Sequence, residues 1–202
     1  TAFAEKVANL ALENNVTDVA AISELSYSDD QTVEEARVSL VQKIGENIQI
    51  RRVEVLEGAN IAAYRHGLRI GVVVSYEGGS EETGKNLAMH IAAFNPVAVD
   101  DESVDADVLA REKDIIEAKA KESGKPDNIV EKMIEGGLRK YLDEVTLLRQ
   151  PYVMDNEKKV GDVLKSEGVK VLGFKRLEVG EGIEKKQEDF AAEVAATQAA
   201  NK

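Results

Sequence analysis

Residues 104–145 keep helical spacing of apolar side chains through a strongly charged stretch, broken only at Ser123-Gly124-Lys125-Pro126. No other feature constrains the fold as much. Glycine followed by proline stops a helix, and two helices joined by so short a turn must lie antiparallel. The first arm has a thin stripe of Val108, Leu109, Ile115 and Ile116. The second is richer, with Val130, Met133, Ile134, Leu138, Tyr141, Leu142 and Val145. Seams this narrow give each helix one apolar side, so the pair is predicted to project as an antiparallel coiled coil. Gly136 and Gly137 weaken the second arm by ~1 kcal/mol each relative to alanine.

The flanks read as mixed structure. Phe3, Val7, Leu10 and Ala11 predict a helix ending near Asn14, and a short helix fits residues 17–25. Thr32-Val33-Glu34-Glu35 is a capping-box pattern that opens a helix carrying Ala36, Leu40, Val41 and Ile44 on one side. Strands are predicted at 48–55, from Ile48, Ile50, Val53 and Val55, at 61–64 and at 70–76. A helix over 80–94 runs to the stop at Pro96. Beyond the arm come a short helix at 160–166, a strand at 169–179 and a terminal helix at 188–199 with Phe190 and Val194 on one face. This order argues an α+β fold with two small antiparallel-sheet and helix subdomains, an inserted coiled-coil arm and a C-terminal helix.

Composition narrows the partners. Asp and Glu number 38 against 26 Lys and Arg, a net charge of −12. Such a chain is repelled by nucleic acid and by anionic membrane unless it carries a basic patch, and Lys158-Lys159 and Lys185-Lys186 are too short for one. A protein surface is the expected partner. The absence of cysteine excludes thiol catalysis and thiolate metal sites. No apolar run reaches the ~20 residues that span a bilayer. The first residues, Thr1-Ala2-Phe3, lie inside a helical pattern and read as the start of a piece of a longer protein.

Two glycine patterns suggest nucleotide chemistry. Residues 79–86 nearly match the phosphate loop G-x-x-x-x-G-K-[ST], after a strand and before a helix. However, Asn86 lacks the hydroxyl that holds magnesium, and Glu81 and Glu82 would face phosphate of like sign. Gly180-Glu181-Gly182 begins a dinucleotide fingerprint that Lys185 ends, and it reads as a turn. His66 and His90 form no metal-ligand spacing. His90 reads as a partly buried surface histidine, and Asp100-Asp101-Glu102 as solvated loop. No residue is assigned a catalytic role, and no cofactor or metal is expected.

Three groups of motifs resemble the elongation factor Ts family. They are the stretch 43–52, Lys-Ile-Gly-Glu-Asn-Ile-Gln-Ile-Arg-Arg; the stretch 64–72, Tyr-Arg-His-Gly-Leu-Arg-Ile-Gly-Val, with Ala88-Met89-His90-Ile91; and Gln150-Pro151-Tyr152-Val153-Met154 with the stretches 179–185 and 189–195. The resemblance implies a layout. Residues 1–59 correspond to a core N-subdomain truncated at its start, 60–99 with 148–182 to a core C-subdomain, 100–147 to a dimerisation arm and 183–202 to a C-terminal module. It implies a cytoplasmic exchange factor, not an enzyme, that promotes GDP release from the GTPase elongation factor Tu. It also implies partner contacts at Ile44, Gly45, His66, Val153 and Met154, with Phe190 and Val194 docking the last helix. The family's ubiquitin-associated-like N-terminal domain and its Thr-Asp-Phe-Val motif have no counterpart in these residues. The competing reading is a coiled-coil interaction module without exchange activity.

Overall fold

The computed structural model describes residues 2–183, so the terminal helix expected at 188–199 lies outside them. The smaller of two cores is formed by α1 (Ala2–Glu13), α2 (Val19–Ser23), the hairpin β1 (Ser26–Ser28) and β2 (Gln31–Thr32), and α3 (Val33–Ile44). Val7, Ala11, Ile22 and Val33 are buried at its centre, with Phe3, Leu10 and Tyr27 packed around them. The start of α3 is set by the expected reciprocal cap. Glu35 N–H donates to Thr32 Oγ1 at 3.2 Å, and Thr32 N–H donates to the Glu35 carboxylate at 2.8 Å.

The rest of the described chain runs β3 (Asn60–His66), β4 (Ile70–Glu77), α4 (Glu81–Phe94), α5 (Ala106–Glu122), α6 (Asp127–Val145), β5 (Pro151–Tyr152), β6 (Asp155–Lys159), α7 (Val160–Glu167) and β7 (Lys170–Glu178). β3, β4 and β7 form one antiparallel sheet with β4 in the middle. Alternation along β4 turns Val72, Val74 and Tyr76 to the same face. There they join Leu87, Ala88 and Ile91 of α4, and Leu147, Val160 and Leu164, in the larger core. Burying each large aliphatic side chain contributes ~1.5–3 kcal/mol, so this core holds β7 to strands that precede the arm. The fold is α+β.

The arm leaves and returns at one place. Leu147 N–H donates to Ala98 O at 2.9 Å and Leu148 N–H to Val99 O at 3.1 Å, which clamps its two ends together. Within α5 and α6 only Ala120 and Val130 are buried. Gly137 does more than weaken α6. A Cβ there would stand 2.6 Å from Ile116 Cγ2, so the glycine lets the two helices meet closely.

The expected strand at 48–55 is not one. The segment joins no β-ladder among the described residues. Its β-branched side chains are satisfied differently. Ile50 and Val53 pack on the smaller core, Glu54 pairs with Lys175 at 3.0 Å, and Arg37 reaches Ile48 O at 2.8 Å. Bulky residues favour extended backbone, but a strand also needs a ladder partner. The hairpins β1–β2 and β5–β6 were not expected from the sequence. No described helix is long and apolar enough to cross a membrane.

Candidate functional site

Ile44 is the last residue of α3 and remains 45% exposed. Gly45 follows in the left-handed region, at φ 75°, and its N–H donates to Val41 O at 2.9 Å. Any other L-residue there would be strained by ~1–2 kcal/mol. The space beside Gly45 is open, with nothing within 4 Å of where a Cβ would be. The corner therefore presents an uncovered branched apolar side chain.

His66 closes β3, paired in register with Ile70, which in turn pairs with Glu178. Its ring is exposed, and Nδ1 lies 3.2 Å from Tyr64 Oη. Nearby, Glu178 accepts from Arg176 at 2.9 Å and from Arg69 at 3.1 Å. Those contacts, Arg176 first, hold its carboxyl below the usual range. The rim around His66 is thus fixed and polar.

Val153 and Met154 are the two residues connecting β5 to β6, whose closing pair is Tyr152 and Asp155. Val153 packs inward against the larger core, while Met154 is 58% exposed. The three candidate places occupy separate elements. His66 and the Val153–Met154 turn ride on the larger core, and Ile44 and Gly45 extend from the smaller one. Phe190 and Val194 lie outside the described residues.

His90 is not a partly buried surface histidine. It is fully buried in α4, stacked on Phe94 with ring centroids 4.6 Å apart and near Tyr152 at 6.1 Å. Val153 N–H donates to its Nδ1 at 3.2 Å, and its Nε2 lies 2.9 Å from Gln150 Oε1. Burial pushes the imidazole pKa down, and the Gln150 hydrogen bond opposes this more weakly. The Gln150 amide in turn donates to Glu144 O at 2.6 Å and to Phe94 O at 3.4 Å. Helical periodicity placed Leu87, Ala88 and Ile91 inward but not His90, and it carried no sign of a partner sixty residues on.

The near-match at residues 79–86 is filled by protein. A Cβ at Gly84 would stand 2.5 Å from the Tyr76 ring, so this glycine serves helix-on-sheet packing. Ser80 Oγ caps Thr83 N–H at 3.1 Å, and Thr83 Oγ1 donates to the Glu167 carboxylate at 2.5 Å. An acid therefore sits where a phosphate would have to enter. Lys85 is exposed and pairs with Glu81 at 2.7 Å, one helical turn away. Asp101, expected in solvated loop, is instead bound to Arg149 at the foot of the arm.

Comparison with known proteins gives a consistent family. A family model described as Elongation factor TS matches residues 1–181. Elongation factor Ts of Psychrobacter arcticus is 92% identical over 203 residues, covering all of this chain and 69% of that protein. The Psychrobacter cryohalolentis protein of the same name is 93% identical over 202 residues, again covering 69% of its length. That of Acinetobacter baumannii is 64% identical over 201 residues, spanning 99% of this chain and 69% of the relative.

Proposed function

The chain belongs to the elongation factor Ts family, and on that premise we propose that it binds the GTPase elongation factor Tu and promotes GDP release during translation elongation in the cytoplasm. The observation that carries the reading is the exposure of Ile44 and Met154, 45% and 58%, at a helix end and a turn tip. Apolar side chains held out on rigid corners are suited to burial in a partner. His66 adds a polar contact on a fixed rim, and Gly45 lets the partner approach the backbone. Phe190 and Val194 are further partner contacts on this reading.

Exchange on this reading is linkage. The factor binds the nucleotide-free GTPase more tightly than the GDP-bound form, so by reciprocity it weakens GDP by the same factor. No bond is made or broken, and the chain needs no nucleophile or general base. Residues 1–59 act as the core N-subdomain, 60–99 with 148–182 as the C-subdomain, 100–147 as the arm and 183–202 as the C-terminal module. The test is release of a fluorescent GDP analogue from purified elongation factor Tu. The reading predicts acceleration that saturates with factor, and unchanged release at saturation would remove it.

One observation favours a further role for the arm. Val108 and Ile115 on α5 are 40% and 46% exposed, which supports self-association through it. Deleting residues 104–145 should then lower the oligomeric state seen by light scattering while leaving exchange in place. Loss of all partner association on that deletion would instead favour an interaction module without exchange activity.

A further inference from the structure

We propose that His90 and Gln150 form a buried positioning relay that sets the Val153–Met154 turn in its partner-docking conformation and ties it to the root of the arm. This rests on the reading of that turn as a docking element.

The relay has a forced direction. At one end stands the Val153 backbone N–H, which can only donate. His90 Nδ1, 3.2 Å away, must therefore be the unprotonated nitrogen. Nε2 then carries the hydrogen and donates to Gln150 Oε1 at 2.9 Å. That orients the amide so that its NH2 group faces two carbonyls, Glu144 O near the end of α6 and Phe94 O at the end of α4. Both termini of the chain are backbone groups whose polarity cannot change. Reversing either the tautomer or the amide would set donor against donor and acceptor against acceptor in a buried place, where unmade hydrogen bonds are most unfavourable.

The turn needs such a device. Its strands are short, two residues in β5 and five in β6, and β6 is Asp-Asn-Glu-Lys-Lys, with no residue of high strand propensity. Two-stranded pairs of this kind are marginal alone. The hydrogen bond to His90 holds the first turn residue, while Val153 packs on the core. Those two restraints direct Met154 outward. Phe94 stacked on the imidazole fixes the ring plane. His90 is a positioning residue. It is fully buried and acts on the partner only through the turn.

Two substitutions divide its roles. His90→Asn places an amide oxygen near the Nδ1 position, so the Val153 N–H keeps an acceptor while the Gln150 contact is lost. His90→Gln extends an NH2 donor toward Gln150 and leaves the Val153 N–H without an acceptor. Each variant is assayed for amide hydrogen exchange at Val153 in the free protein, for thermal midpoint, and for the factor concentration giving half-maximal GDP release, alongside the saturated release rate. The relay predicts that His90→Gln speeds Val153 exchange and raises the half-maximal concentration, each by about tenfold, with the saturated rate unchanged. His90→Asn, which keeps the Val153 acceptor but unpairs Gln150 Oε1, should raise both by a smaller factor, about threefold.

A merely structural histidine would make both variants lose binding in step with thermal midpoint, and that result overturns the proposal. So does unchanged Val153 exchange in His90→Gln. If Val153 exchange responds as predicted but the wild-type protein fails to accelerate GDP release, the docking reading of the turn has failed and the proposed link to the partner falls with it.

Discussion

Replacing Met154 with alanine separates a docking residue from a core residue. Fully burying a methionine side chain stabilises by ~1.5–3 kcal/mol relative to leaving it in water. Met154 keeps 58% of its surface exposed in the free protein, so roughly that share, about 1–1.7 kcal/mol, remains to be gained when a partner covers it. Met154→Ala should therefore weaken binding to nucleotide-free elongation factor Tu by roughly 5- to 20-fold. The folded state should lose at most about 1.3 kcal/mol, because only the smaller, already buried share is removed. Leu147, fully buried in the larger core, is the control. Leu147→Ala should destabilise by ~2–5 kcal/mol. Calorimetric titration against the GTPase measures the first quantity and urea unfolding the second. A Met154→Ala protein that loses more than about 2 kcal/mol of stability but binds its partner normally would refute the reasoning, since Met154 would then be a packing residue.

Because burial lowers the His90 pKa, the unfolded chain takes up a proton there at higher pH than the folded one. Stability from this residue is complete above the ordinary histidine value of ~6.5 and falls as pH drops below it, by up to ~1.36 kcal/mol per unit until the folded-state value is reached; unfolding midpoints in His90→Asn should lose that slope. Gly84→Ala forces a methyl group against the Tyr76 ring and should destabilise by ~1–3 kcal/mol, a loss that unfolding in urea would reveal. Lys85→Ala should leave the thermal midpoint unchanged, and neither it nor the wild type should bind ATP or GTP by calorimetry; binding lost on Lys85→Ala would restore the phosphate-loop reading. Thr32→Ala removes one half of the capping box and should lower stability by ~1 kcal/mol, again measured in urea.

Much of the architecture was legible because local signals agreed with tertiary packing. The capping box at Thr32 and Glu35, the α4 stripe of Leu87, Ala88 and Ile91, and the Ser123–Pro126 break between two charged helices all depend on neighbours within a turn or two. What stayed hidden depends on partners far along the chain. β6 consists of charged and amide residues and is a strand through its pairing with β5. The 48–55 segment has the composition of a strand, but Ile50 and Val53 are used by the smaller core and Glu54 by Lys175. The periodicity of its helix left His90 as a partly buried surface residue, because its burial and tautomer follow from Gln150 and Val153, which no spacing rule connects to it. Of the candidate site, the residue types at Ile44, His66 and Met154 came from family resemblance. Their exposure came from the structure.

The proposed function rests on linkage between the protein and GDP. The direct measurement is a closed cycle of four dissociation constants: the protein with nucleotide-free and with GDP-bound elongation factor Tu, and GDP with the GTPase alone and with the complex. Exchange by linkage requires that the protein prefer the nucleotide-free form and that the two ratios agree, as reciprocity demands. Equal affinity for the two forms of the GTPase would contradict it.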